Sequence, residues 1–151
     1  MSEDLYRYGD KTLTAHDLYF YVLVEETCER LGVRDVGSVV AILLGQPYLN
    51  TRAKPRGATK GTSIASRVSR ALLDFELPWK ALPTLTNRSI LNLRILMTRN
   101  LAVFVGRSVP IVGWVILAYD VVVIMNNTEK HFNRLVKPED QLRGSGVGIY
   151  G

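Results

Sequence analysis

The chain has a single cysteine, Cys28, in 151 residues. No intrachain disulfide can form, which argues against a small secreted scaffold held by cystines and fits a reducing cytosol. Histidine is nearly as scarce. His16 and His131 stand far apart, with neither a HExxH nor a CxxC pattern around them, so neither a metal site nor a cofactor is expected. His131 follows Glu129 by two positions, which on a helix turns the two side chains about 200° apart; it reads as a surface histidine, and His16 as the neighbour of a helix start. The opening MSEDLYRYGD lacks an apolar stretch. The expectation is a protein made in the cytoplasm without a cleavable signal peptide, any export using a route that reads none.

Acid is missing from the middle of the chain. Residues 1–35 hold eight acids and four bases, residues 36–119 hold eleven bases against only Asp74 and Glu76, and residues 120–151 hold four of each. The overall charge of +5 therefore conceals a strongly basic block, which reads as a footprint for phosphates of anionic lipid or of nucleic acid. Arg56, Lys60, Arg67, Arg70, Arg88, Arg94 and Arg99 are the candidate anion- and lipid-binding residues. Each contributes on the order of 1 kcal/mol beside an anionic surface. Nucleic acid is the weaker partner, because no RNP, zinc-finger or helix-turn-helix signature accompanies the charge and only Tyr48, Phe75 and Trp79 offer local stacking. The acid-free run from Leu77 to Tyr119 also argues against a metal-dependent nuclease centred there.

The stretch GATKGTS (57–63) resembles a phosphate loop only in part. A P-loop sets Lys directly before Ser or Thr, whereas Lys60 precedes Gly61 and no apolar strand leads in. An anion held there by backbone amides, Lys60 and Arg56 remains an expectation, as does a loop that merely caps the next helix.

Apolar residues are plentiful, at 47% with 22% charged and a slightly positive mean hydropathy, enough for one domain with a sizeable core. Thr14 three residues before Asp17 predicts a helix start, and DLYFYVLVEETCERLG an amphipathic helix stopped by Gly32. Leu18, Tyr21, Val22, Cys28 and Leu31 form its apolar side. Asp35 caps a short, wholly apolar helix VGSVVAILLG, too short to span a bilayer. A basic loop occupies 46–61, TSIASRVSRALLDF resumes a helical pattern, and Asn87–Arg99 reads as another helix with Arg88 and Arg99 near one azimuth. The fold class is thus mainly α, a compact helical domain with a long hydrophobic C-terminal helix or helical hairpin, with α+β as the alternative. The expected divisions are an amphipathic helical region 1–100, a hydrophobic hairpin or helix and its continuation 101–137, and a flexible Gly-rich tail 138–151.

The hydrophobic segment carries the functional question. From Ser108 to Met125 the only charge is Asp120, and ten of the eighteen residues are Val, Ile or Leu. As one helix it would be about 27 Å long, close to the thickness of a bilayer core. Its apolar side chains favour insertion by roughly 3–6 kcal/mol, and Asp120 and Pro110 take much of that back. The segment is poised between water and lipid. Val109, Pro110, Ile111, Gly113, Trp114, Val115, Ile116 and Val122 are the candidate membrane-inserting residues. Asp120 and Arg107 form a candidate charge switch, with Arg99 or Arg107 as the expected partner of Asp120 in the soluble state and acidification as the trigger.

VFVGRSVPIVGWVILAYDV resembles the Gly- and Pro-bearing hydrophobic segments of bacterial membrane-active toxins, among them colicin-like pore formers and effectors delivered by contact-dependent or type VI secretion. The likeness covers about 25 of the 151 residues, and the chain is too short for a full colicin-like bundle. It implies a pore-forming antibacterial effector that becomes membrane-associated or inserted when active, with an anionic membrane as target and a cognate immunity protein or a delivery protein as partner. Two other functions fit the residues. One is a non-enzymatic adaptor or immunity-type module that uses 101–125 as a protein interface. The other is a phosphate- or nucleic-acid-acting enzyme that uses the loop 56–63. An enzyme is the less expected class.

Overall fold

The computed structural model describes residues 5–45, 64–75, 77, 87–109 and 114–142. It opens with a feature the helical periodicity did not announce, a β-hairpin of β1 (Tyr6–Tyr8) and β2 (Lys11–Leu13) that pairs Tyr6 with Leu13, Arg7 with Thr12 and Tyr8 with Lys11. Gly9 turns it with φ +64°, a conformation that disfavours any residue with a Cβ. An added Cβ would also stand 3.2 Å from the Cβ of Ala65, so the turn is seated on a later helix.

Helix α1 (Ala15–Leu31) starts where Thr14 Oγ1 accepts from the Asp17 amide and stops at Gly32, whose φ of 67° lets its N–H reach the Cys28 carbonyl. Its first half is not amphipathic. Leu18, Tyr19, Phe20, Val22, Leu23 and Val24 are all fully buried, so α1 is the central helix and each such side chain contributes roughly 1.5–3 kcal/mol on leaving water. Helix α2 (Val36–Leu43) is capped by Asp35, which accepts from both the amide and the hydroxyl of Ser38. Helix α3 (Ile64–Ala71) runs into a short 3-10 turn at Leu72–Asp74.

Helix α4 (Asn87–Val103) crosses the expected division at residue 100. Helix α5 (Ala118–Leu135) packs along α1 with Val121, Ile124, Met125, Thr128 and Phe132 inward. Tyr19 and Phe132 meet edge to face at 5.4 Å between them. The chain then returns to its beginning. Pro138–Asp140 forms a 3-10 turn, Asp140 accepts a hydrogen bond from the Tyr6 hydroxyl, and the Asn133 side chain holds both the N–H and the carbonyl of Leu142. Residues 138–142, expected to begin a loose tail, are instead packed, because Asn133 supplies the donor and acceptor that end of the chain lacks. One buried apolar cluster reaches from Tyr8 to Leu142.

The fold is mainly α. Of the long hydrophobic helix or helical hairpin expected over 101–137, the single long helix does not form, since α4 ends at Val103 and α5 begins at Ala118. Between them lie Gly106 in the left-handed region at φ +80° and a small antiparallel pair, β3 (Ser108–Val109) with β4 (Trp114–Val115). Gly106 and a new helix start divide the apolar run, and of its described residues Leu101, Ile116, Val121, Ile124 and Met125 are buried while Val103, Val115, Leu117 and Tyr119 stay exposed. Among the described residues no helix is long and apolar enough to cross a membrane.

Candidate functional site

Among the described residues, the joint between α4 and α5 leaves several large apolar side chains in water. Val105 is bridged to Ile116, and the Gly106 N–H donates to the Ile116 carbonyl, which ties the end of α4 to the start of α5. Ile116 is buried. Its neighbours are not: Val103 is 57% exposed, Val115 42%, Leu117 54% and Tyr119 68%. Arg99, Gly106 and Arg107 of the same stretch are also exposed. No aspartate or glutamate occurs from Leu77 to Tyr119, so every charged side chain that this stretch brings to the joint is cationic.

Asp120 closes the joint on the α5 side. Its Oδ2 accepts from the Leu117 amide at 3.0 Å, which satisfies a donor at the helix start. Its Oδ1 accepts from Arg30 Nε of α1 at 2.9 Å. The Arg30 guanidinium also lies 5.3 Å from the centre of the Tyr119 ring. Neither Arg99 nor Arg107, the partners expected for Asp120, provides that ion pair. As the third residue of α5, Asp120 faces the helix start and the C-terminal end of α1, a packing that spacing along the chain does not show.

The other expected site residues are scattered. Ile116, named for membrane insertion, is core, and Val122 is half-buried on α5. Val115 is exposed on β4; Val109 and Trp114 belong to the small strand pair, and Pro110, Ile111 and Gly113 lie outside the described residues. Arg94, named for lipid, is turned inward. It is 7% exposed and its guanidinium meets Glu129 Oε1 of α5 at 3.3 Å. The helical register puts it beside Ile90, Met97 and Leu101 on the inner face, where only a carboxylate makes its burial tolerable. Arg67 is half-buried on α3, while Arg70 and Arg99 are exposed. Arg88 belongs to the first turn of α4; Arg56, Lys60 and the whole loop 57–63 lie outside the described residues.

Among the described residues, no group of three or more His, Cys, Asp or Glu suits a metal ion. His131 is partly buried and its Nδ1 lies 2.8 Å from Glu26 Oε2 of α1, so it joins α5 to α1 rather than standing free at the surface. Beside it, burial raises the carboxyl pKa of Glu25 above the usual range, opposed by His131 and reinforced by Glu29 and Glu26. Burial pushes the Cys28 thiol up to about 12 despite the pull of Arg67. Such a thiol is a small apolar side chain, not a nucleophile.

The described features define a small, mainly α protein with an exposed apolar and basic joint. Residues 2–143 match the model of a family of unknown function (DUF8209), and the chain belongs to that family. No curated protein and no solved structure matches it.

Proposed function

We propose that this protein is a non-enzymatic effector that acts at a membrane surface, docking through the joint of α4 and α5. The observation that carries the reading is the exposure of Val103, Val115, Leu117 and Tyr119 in the same acid-free stretch as the exposed Arg99 and Arg107. Apolar side chains favour the boundary of the acyl chains, tyrosine favours the headgroup level, and arginine favours phosphate. The contact belongs to the folded state. Inserting 101–125 as one span would pull Ile116, Ile124 and Met125 out of the core, which opposes insertion by several kcal/mol. The resemblance of this stretch to bacterial membrane-active toxins points to bilayer perturbation as the outcome of docking.

Flotation with liposomes and release of an entrapped dye test the reading together. The wild-type chain is expected to rise with vesicles containing phosphatidylglycerol and to release the dye, and Val115→Glu with Leu117→Glu to do neither while keeping its helical circular dichroism. Protein that stays at the bottom of the gradient at every lipid composition and acidity sinks the proposal. An adaptor or immunity-type module, the second reading, uses the same exposed joint; one protein partner that shields 101–125 from protease in the absence of lipid favours it.

A further inference from the structure

We infer that the docking surface extends along the outer face of α4, and that its occupant is the phosphate layer of an anionic bilayer. This rests on the membrane-docking reading and adds a surface no sequence motif announced. At 100° per residue, the exposed positions 91, 92, 95, 96, 99, 102 and 103 fall within one arc of about 140°, while Ile90, Leu93, Arg94, Met97 and Leu101 occupy the opposite, buried side. The outer arc is apolar where a solvated helix face is charged. Leu91 is 38% exposed, Ile95 57%, Leu96 37% and Val103 57%. From Leu91 to Val103 the stripe is about 18 Å long, and Val103 carries it into the joint.

The arrangement within the arc selects the occupant. Leu91, Ile95 and Ala102 line one flank and Leu96 and Val103 the other, with Asn92 and Arg99 along the midline. A wholly apolar groove would strip water from the Arg99 guanidinium without offering a charge in return. A second copy of the same face would set cation against cation, because no acid lies between Leu77 and Tyr119. An anionic headgroup layer satisfies all parts at once. Phosphates take the guanidinium on the midline, and the flanking side chains reach the boundary of the acyl chains.

Three proteins measured on two kinds of vesicle, phosphatidylcholine alone and phosphatidylcholine with about a third phosphatidylglycerol, test this. Arg99→Glu replaces an attraction by a repulsion and is expected to lower the partition coefficient on anionic vesicles about tenfold or more. Ile95→Gln is expected to lower it about threefold or more, and the wild type to bind phosphatidylcholine alone far less than the mixed vesicles. Both positions are exposed on a helix that tolerates Glu and Gln, and circular dichroism confirms the fold. If both variants bind like the wild type while the Val115 and Leu117 substitutions abolish binding, the α4 inference falls and the docking reading stands. Should the wild type bind neither vesicle, both fall. Equal binding to the two lipid mixtures overturns the anionic occupant. A dimer in analytical ultracentrifugation that Ile95→Gln dissociates, with vesicle binding unchanged, overturns the bilayer in favour of a second copy.

Discussion

At the scale of single residues, burial separates groups that look alike in the sequence. Cys28 sits 4% exposed on α1 with a raised pKa. A disulfide reagent at pH 8 is expected to react with it at least about a hundredfold more slowly in the native protein than in urea; equal rates would show that α1 is not the central helix. Glu25 carries the opposite lesson. Its carboxyl pKa is higher in the folded chain than in the unfolded one, so the charged form is disfavoured by folding, and stability falls as pH rises through that window. Glu25→Gln is therefore expected to raise the melting temperature at pH 7. The gain shrinks toward zero below about pH 4, where Glu25 is neutral in both states. A gain that persists unchanged in acid contradicts this account. Arg94 and Arg99 are five positions apart and equally basic, yet one is shut inside with Glu129 and the other faces water. Charge alone did not distinguish them.

At the scale of elements, the local signals were legible and the long-range ones were not. Thr14, Gly32 and Asp35 mark helix ends by chemistry within four residues, and α1 begins and stops, and α2 begins, where they indicate. The hairpin of β1 and β2 was missed although Gly9 and Asp10 separate two three-residue strands; six strand residues are too few to show alternation. The largest difference concerns 101–125. Hydropathy summed over eighteen residues treats the run as one rod, whereas Gly106 and the cap at Asp120 divide it, and only the packing of α5 on α1 shows which side of that helix is buried. Asp120 itself tests that division. Asp120→Ala removes both the α5 cap and the bond from Arg30 and is expected to cost about 1–2 kcal/mol, or roughly 3–6 °C in thermal melting. Arg30→Met keeps the cap and is expected to cost less than half as much. Equal losses would mean that the ion pair, not the cap, holds the start of α5. For the interior pair, Arg94→Leu or Glu129→Leu alone is expected to destabilise by about 3–5 kcal/mol and the double substitution to recover most of it. Denaturant titration of the full cycle measures that coupling.

At the scale of the whole molecule, charge and exposure are distributed unevenly in the same sense. The first 35 residues are net acidic and the block from 36 to 119 strongly basic, and the exposed stripe of α4 and its joint with α5 fall within or beside the basic block. The basic block was readable from composition, but its useful fraction was not. Packing removes Arg94 from it and leaves Arg99 at the midline of an apolar face. If the joint and that face meet anionic lipid, attachment is expected to weaken severalfold between 50 and 300 mM salt, because exposed charges are screened while apolar contacts are not. Salt-independent flotation would assign the attachment to apolar contact alone.

The bond between Tyr6 and Asp140, with Asn133 holding Leu142, makes the described fold a loop of chain fastened near its own ends. Tension applied to the two ends is therefore carried first by that fastening and the first hairpin, before any helix is stretched. Tyr6→Phe is therefore expected to lower the force at which this unit first yields when it is pulled between Leu5 and Leu142.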